Sequence, residues 1–449
     1  MLPEPIISVS GLRGIVGDSL TPDVAIRYVC AFAAELPPGP VVITRDGRTT
    51  GPMLAACLTA GLTAIGRTVV NGGIAATPTT GILVRSYRAA GGVQVSASHN
   101  PAEYNGLKLF SAEGRVIPAD AGERVIERYR DSSPRWVAHQ AVGTFGPCSG
   151  SISPHWSLLS QIVDVERIKQ RRFKLLLDSN HGAGSALARV MFEHLDCQAT
   201  IVGGEPDGQF EHVPEPTAEN LRDILPLVKQ AGADVGFCQD PDADRLAVID
   251  ENGCYLGEEY TLAMCVDHVL RSRPGPIVTN CSTSRMSQDL AAKYGVPFYR
   301  SAVGEANVVD LMLRRSAVLG GEGNGGVIDP RVGLVRDSFV GMALLLDAMV
   351  ARALPISQLA AELPRYEIHK AKLNLPPEHL LTSFAAVQDR FSDARADRLD
   401  GLRLDWPDRW LLIRGSNTEP IVRIFTEAPT MPEAQRLSAE ALEVISSNA

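Results

Sequence analysis

The stretch Gly91–Phe110, GGVQVSASHNPAEYNGLKLF, decides how the rest of the chain is read. Its opening run is short, apolar and bounded by glycines, as a buried strand requires. The apolar pattern then stops. Pro101 turns Asn100 away from helix, and Asn105-Gly106 favours a tight turn before the chain becomes apolar again. Such a loop holds Ser98 and His99 at a strand end and carries Lys108 back toward them. Alone, a Ser-His-Asn-Pro loop is an ordinary turn whose side chains satisfy nearby backbone. A chemical role for it depends on the other motifs.

At 449 residues the chain exceeds one ordinary core, and three or four domains are expected. Hydrophobic residues make up 45% and charged residues 21%, the balance of a globular protein. The formal net charge of −9 offers no general nucleic-acid surface, although local basic clusters still suit anionic substrates. The cysteines (Cys30, Cys57, Cys148, Cys197, Cys238, Cys254, Cys265, Cys281) form no C-x-x-C pair and read as free thiols in a reducing compartment. The start, MLPEPIISVSGLRG, lacks the basic and apolar regions of a signal peptide. The most apolar helix candidate, Phe339–Leu354, is broken by Asp347 and Arg352 and is too short to span a bilayer. A cytoplasmic protein is expected, with no membrane and no nucleic acid among its partners.

Residues 1–150 alternate strands (Pro40–Thr44, Thr68–Asn71, Gly92–Ser96) with a helix at Met53–Ala64, an α/β rhythm. Ahead of them, Ser10-Gly11-Leu12-Arg13-Gly14 sets Arg13 between glycines that let backbone come close to an anion. Thr44-Arg45-Asp46-Gly47-Arg48 reads as a loop braced by an Asp–Arg pair. The turn-rich Pro147–Pro154 marks a boundary. A second α/β unit, 151–253, has strands at Phe173–Asp178 and Asp234–Cys238 and a helix around Ala218–Gln230; its glycine-rich turn Asn180–Ser185 lacks G-x-G-x-x-G and any lysine and reads as structural. A third, 254–364, carries helices near Tyr260–Leu270 and Ser284–Lys293 and strands at Pro276–Asn280 and Ala317–Gly320. Residues 365–449 change to an α+β pattern with a helix near Pro377–Phe391, strands up to Glu427 and a closing amphipathic helix from Pro432. The first three units share a rhythm without a clear sequence repeat.

The second motif is Asp240-Pro241-Asp242-Ala243-Asp244-Arg245. In an extended segment residues i, i+2 and i+4 project to one side, so the three carboxylates converge. Such crowding calls for a hard cation, and oxygen ligands suit Mg²⁺ or Ca²⁺. Counting from Asp240 places Glu251 where an EF-hand has its last ligand, but Arg245 occupies the position that needs glycine and Leu246–Ile249 read as a strand. Apolar runs on both sides also argue against a solvated acidic turn. Three carboxylates leave room for a phosphate oxygen, which a phosphoryl group on Ser98 would supply, and Arg13 and Arg245 would steady its charge. A third motif, Gly321–Gly326, reads GEGNGG and presents Glu322 and Asn324 at a spacing that suits neighbouring sugar hydroxyls. The fourth, Arg414-Gly415-Ser416-Asn417-Thr418-Glu419-Pro420 with Arg423 downstream, is rich in donors and suits a phosphate dianion.

With SGLRG, SASHNP and NGLK, DPDADR, GEGNGG and RGSNTEP in this order, the chain resembles the α-D-phosphohexomutase superfamily over essentially its whole length. That superfamily includes phosphoglucomutases, phosphomannomutases and phosphoglucosamine mutases. The resemblance implies four domains round a central cleft: three similar α/β domains with mixed sheets and a C-terminal α+β domain. It implies that Ser98 is a phosphoserine and that Asp240, Asp242, Asp244 and its phosphate hold Mg²⁺. It matches Lys108 and His99 to active-site positions, Glu322 and Asn324 to the sugar loop, and Arg414, Ser416, Asn417 and Thr418 to the phosphate loop. The implied reaction moves a phosphoryl group between O6 and O1 of a hexose phosphate through a hexose 1,6-bisphosphate. The only partner implied is the small-molecule substrate, with a monomer or homodimer as the assembly.

Departures from the family pattern fall where sugars are discriminated. Gly326 stands in place of a histidine that often closes the sugar loop, Asn324 in place of a serine, and Val303-Gly304-Glu305 lacks the histidine of bacterial phosphomannomutase/phosphoglucomutase enzymes. Pro241 and Ala243 stand where many relatives have glycines. GEGNGG and Pro101–Gly106 resemble the archaeal-type phosphoglucosamine mutase branch, so the expected reaction is glucosamine 6-phosphate to glucosamine 1-phosphate. Phosphomannomutase or phosphoglucomutase activity is the alternative. A phosphatase would not need a phosphorylated Ser98, and a non-catalytic sugar-phosphate binder would tolerate loss of Ser98 or an aspartate; the chain retains all of them.

Overall fold

The computed structural model describes residues 4–415 and 421–447. Among these residues the strands form four sheets, of seven, five, four and five strands. In the first, Gly91–Val95 runs parallel to Val41–Arg45, which is parallel to Val69–Ile74, because helices carry the chain back between them. On the other side of Gly91–Val95, Tyr104–Ser111 returns antiparallel and pairs in turn with Gly11–Ile15. The second sheet repeats this plan: Val235–Gln239 is parallel to Lys174–Asp178 and antiparallel to Leu246–Ile249. Its edge strand, Tyr255–Gly257, lies beyond residue 253. In the third sheet Leu319–Glu322 is parallel to Ile277–Asn280 and antiparallel to Gly326–Ile328. The fourth is wholly antiparallel, with the long pair Glu367–Asn374 and Ile421–Ala428 backed by the helix Met431–Ser447.

The recurring plan positions the site. In each α/β unit one loop joins the carboxyl end of a parallel strand to its antiparallel neighbour. The three loops follow Val95, Gln239 and Glu322, and they hold the serine, aspartate and sugar motifs. Each reversal turns through one left-handed residue: Ser98 (φ 51°), Ala243 (φ 55°) and Gly325 (φ 78°). Only the last is a glycine, so the first two carry a local backbone cost of order 1 kcal/mol that the surroundings must offset.

The expected helix around Ala218–Gln230 is shorter than its pattern: only Leu225–Gln230 is helical. Pro226 has no N–H to donate and disfavours helix in the residue before it, so residues 218–224 form turns instead. The apolar helix Ser338–Arg352 is buried along nearly its whole length. Asp337 caps it, accepting from Phe339 N and Val340 N at 2.9 and 3.3 Å. No helix among the described residues is long and apolar enough to cross a membrane.

His155 links three of these units. Fully buried on the helix Ser153–Leu159, it places Nε2 2.7 Å from Asp337 Oδ2 and Nδ1 2.9 Å from Thr79 Oγ1. Thr79 lies on Thr77–Ser86, the helix that precedes the serine strand. Removing the imidazole leaves Asp337 Oδ2 and Thr79 Oγ1 buried without this partner, while the cap bonds to Asp337 Oδ1 remain. His155→Ala is therefore expected to lower stability by about 2 kcal/mol, the cost of leaving a buried acceptor unsatisfied, read as a drop in the denaturation midpoint. An unchanged midpoint would show that the three units are not joined there.

Candidate active site

Ser98 is built into its position by the loop that follows the strand Val41–Arg45. Its N–H donates to Ser96 Oγ (2.8 Å), which donates to Asp46 Oδ2 (2.7 Å). Asp46 accepts from Arg48 through both N (2.9 Å) and Nε (3.2 Å). Arg48 is 1% exposed, and its fork donates to the carbonyls of Ser98, Asn100, Pro101 and Tyr104 at 2.7, 2.6, 2.6 and 3.0 Å. Phe210, from the second unit, lies under the same guanidinium at 5.0 Å. The Asp–Arg brace expected here thus clamps the peptides on both sides of Ser98 and holds its left-handed backbone. Burial raises the Asp46 carboxyl above its usual range, against the opposing pull of Arg48 and Ser96.

The aspartate loop is not the extended segment its spacing suggested. Ala243 N donates to Asp240 O at 2.9 Å, closing a turn with Pro241 at its second position, where its fixed φ fits. The left-handed Ala243 then swings Asp244 back. The carboxylates therefore converge by chain reversal and not by strand alternation. All three are fully buried, with one candidate ligand atom from each within 4.8 Å of the others. Ser98 Oγ donates to Asp240 Oδ2 at 2.9 Å, joining the first two motifs.

Cations answer the crowding. Lys108 Nζ reaches Asp242 Oδ2 at 2.9 Å and Asp244 Oδ2 at 2.8 Å, carried back toward Ser98 as the sequence implied. Asn105 and Gly106, expected in a tight turn, already belong to the returning strand Tyr104–Ser111 and pair with Gly14 and Arg13. Thr77 Oγ1 adds a bond to Asp242 Oδ2 at 2.6 Å. Burial, with Asp242 and Asp244 beside it, pushes Asp240 well above the ordinary carboxylate range. Burial pushes Asp242 the same way, but Lys108 and hydrogen bonds from Asp240 and Thr77 outweigh it and hold that group below. Asp242 Oδ1 and Asp244 Oδ1 are buried with no hydrogen-bond partner. Two orphaned carboxylate oxygens beside a third carboxylate fit a hard divalent cation such as Mg²⁺.

His99 and Lys108 differ in charge. Burial, helped by Arg245 and Arg13, pushes the His99 imidazole down to about 2 and keeps it neutral. Burial also opposes the charge on Lys108, but the two aspartates outweigh it and hold the ammonium above its usual range. Arg13 Nη1 donates to Asn100 Oδ1 (3.1 Å), and Arg245 Nη1 stands 3.6 Å from Glu215 Oε1.

The sugar-loop motif meets this centre through a residue the sequence did not single out. Arg336 places Nη2 2.7 Å from Asp244, Nη1 2.7 Å from Glu322 and Nε 2.8 Å from Glu305. Glu322 Oε1 also accepts from Asn280 Nδ2 (2.7 Å) and Gly304 N (3.1 Å). Asn324 Oδ1 accepts from Gly326 N at 3.3 Å. Gly323 lets the Glu259 carboxylate come close: a Cβ there would lie 1.9 Å from Glu259 Oε1, and the glutamate would have to move aside. In the fourth unit Arg414 pairs with Asp400 at 3.2 Å and sits opposite Arg423 in the sheet. Ser416, Asn417 and Thr418 lie outside the described residues.

Asp46, Arg48, Thr77, Asn280, Glu305 and Arg336 thus join the residues read from the motifs. Of these, Asp46 and Arg48 were legible as a brace. A Thr-Pro helix start is the one signal at Thr77, and nothing local marks Arg336.

Family models described as phosphoglucomutase/phosphomannomutase match the chain in four consecutive pieces. Alpha/beta/alpha domains I, II and III match residues 6–135, 154–253 and 258–366, and the C-terminal domain matches 372–444. A protein of Thermococcus kodakarensis named "Phosphoglucomutase/phosphomannomutase" is 35% identical over 434 residues, 95% of each chain. A "Probable phosphoglucosamine mutase" of Methanopyrus kandleri is 31% identical over 440 residues, 97% of this chain and 96% of that one. A solved phosphoglucomutase/phosphomannomutase family protein from Burkholderia thailandensis superimposes with a TM-score of 0.84 at 27% identity, covering 99% of both chains.

If Arg48 sets the backbone at Ser98, Arg48→Met should cut turnover by about a hundredfold, the usual cost of roughly 1 Å misplacement of a reacting group. Arg48→Lys should restore little of it, since one ammonium cannot meet four carbonyls. Steady-state kinetics beside a thermal melt would check this, and full activity in the lysine variant would refute it.

Proposed function

The chain belongs to the phosphoglucomutase/phosphomannomutase family and is an isomerase of the phosphohexomutase kind, and from that premise we propose that Ser98 is its phosphoryl relay. The observation that carries this reading is Ser98 Oγ within 2.9 Å of Asp240, inside a triad with orphaned oxygens. Phospho-Ser98 gives its phosphoryl group to the free hydroxyl of a bound hexose monophosphate. The P–Oγ bond breaks, a bond from phosphorus to the sugar oxygen forms, and a hexose 1,6-bisphosphate results. The bisphosphate turns over in the cleft, and its other phosphoryl group returns to Ser98 Oγ.

Transfer of this kind asks the protein for alignment and charge neutralisation. Asp240, Asp242, Asp244 and the phosphate on Ser98 would hold Mg²⁺, which when bound neutralises charge on the phosphoryl oxygens. Lys108, Arg13 and Arg245 add positive charge round the same place. His99, 3.2 Å from Ser98 Oγ, and Lys108, beside the aspartates, are the two groups placed to help move the proton of the substrate hydroxyl. Glu322 and Asn324 meet the sugar, while Arg414, Ser416, Asn417, Thr418 and Arg423 grip the phosphate that is not reacting. The returning bisphosphate accounts for a phosphate loop on a separate unit.

The proposed substrate pair is glucosamine 6-phosphate and glucosamine 1-phosphate. Supporting it, carboxylates crowd the sugar loop: Glu305 shares Arg336 with Glu322, and Glu259 stands against Gly323. Acceptor groups gathered in this way suit a sugar that brings an extra donor, as an amino group does. A phosphomannomutase or phosphoglucomutase reading draws on the name of the Thermococcus kodakarensis relative.

Intact mass should reveal a fraction of molecules one phosphate heavier, with the phosphate mapped to Ser98. Ser98→Ala should lose on the order of a thousandfold or more in turnover, as removal of a nucleophile does; wild-type turnover in that variant would end the relay reading. Glucosamine, glucose and mannose 1-phosphates, assayed with a bisphosphate activator, should rank glucosamine first. A preference for mannose 1-phosphate would reverse the substrate assignment and leave the reaction standing.

A further inference from the structure

We propose that Arg336 couples the aspartate loop to the sugar loop, so that a divalent cation at the triad tightens binding of the hexose phosphate and the sugar tightens binding of the cation. This rests on the reading of both loops given above, and it adds a positioning residue that neither motif contains.

Arg336 is 9% exposed, and each arm of its guanidinium has a separate carboxylate: Asp244 by Nη2, Glu322 by Nη1 and Glu305 by Nε. The fork is planar and rigid, so a shift toward one partner changes the distance to the others. One positive charge is shared by three negative ones. Asp244 is the partner whose charge a cation would draw off, because it alone of the three belongs to the carboxylate cluster, with Oδ1 buried and unpartnered while Oδ2 already serves Arg336 and Lys108. With the cation in place, Asp244 competes less for the guanidinium, which then holds Glu322 and Glu305 more firmly. Glu322 is thereby fixed against Asn280 and Gly304, in the orientation that meets the sugar. A second tie keeps the loops in step: Leu246 N, just past the aspartates, donates to Gly325 O at 3.2 Å. Coupling through such an element must be reciprocal.

The test uses the full chain, dephosphorylated so that no turnover intervenes. Calorimetry measures glucosamine 1-phosphate binding with and without Mg²⁺. Paramagnetic resonance measures Mn²⁺ binding with and without the sugar phosphate. The wild type should show a coupling factor of about tenfold, equal in both directions. Arg336→Gln should bring it to about twofold or less, and Arg336→Lys should retain only part, since an ammonium cannot span three carboxylates. Inorganic phosphate, which lacks the sugar, should show a cation dependence that neither variant alters. A melting curve checks folding, and if the glutamine variant does not fold the lysine variant decides. Wild-type coupling in the folded variants overturns the proposal, as does equal loss with inorganic phosphate. Cation and sugar binding without coupling in the wild type overturns it alone. Failure of the wild type to bind glucosamine 1-phosphate overturns the substrate assignment, and failure to bind the cation overturns the metal reading of the triad. This proposal falls with either.

Discussion

Three aspartates buried in one turn repel one another, and the rest of the cleft is arranged around that repulsion. Burying an ion costs several kcal/mol even after relaxation, and burying three like charges side by side multiplies the penalty. Lys108 and Thr77 arrive from the first unit, Arg336 from the third, and each bonds only to Oδ2 of Asp242 or Asp244. Oδ1 of both aspartates is left unpartnered. Apolar residues of similar volume would avoid that penalty. On the proposed function the cluster makes a place where cationic and phosphoryl charge is held away from water.

A second constraint acts on Ser98. Its left-handed backbone is unusual for a residue with a side chain, and neighbouring sequence does not impose it. The restraint comes from Asp46 and Arg48, some fifty positions earlier, which bond to the peptide before Ser98 through Ser96 and to its own carbonyl directly. The hydroxyl is therefore aimed by a buried ion pair in a different loop. Phe210 covers that pair from the second unit, so the serine's position also depends on how two units pack.

Much of the centre was legible in the sequence because its chemistry is carried by residue type within short motifs. The serine, the three aspartates and the returning lysine follow from type, spacing and strand pattern. The shape of the aspartate loop did not follow: alternation suggested an extended segment, whereas the turn at Pro241 and the left-handed Ala243 bring the carboxylates together. Arg336 was not legible. It is one arginine before a helix cap, and its partners Asp244, Glu305 and Glu322 are brought to it only by the tertiary fold. The overlong helix at 218–230 has the opposite cause, a local proline overriding an amphipathic pattern.

The three loops that follow Val95, Gln239 and Glu322 occupy the same place in three similar sheets. On the proposed function each sheet is a separate handle bearing one tool: a relay, a charge trap or a sugar gauge. Exchanging the gauge leaves the other handles unstrained, provided a residue like Arg336 still reaches across. Substrate preference in such a scaffold can drift by small edits at one tip while the relay stays as it was, and the cross-links between tips set how far that drift can go.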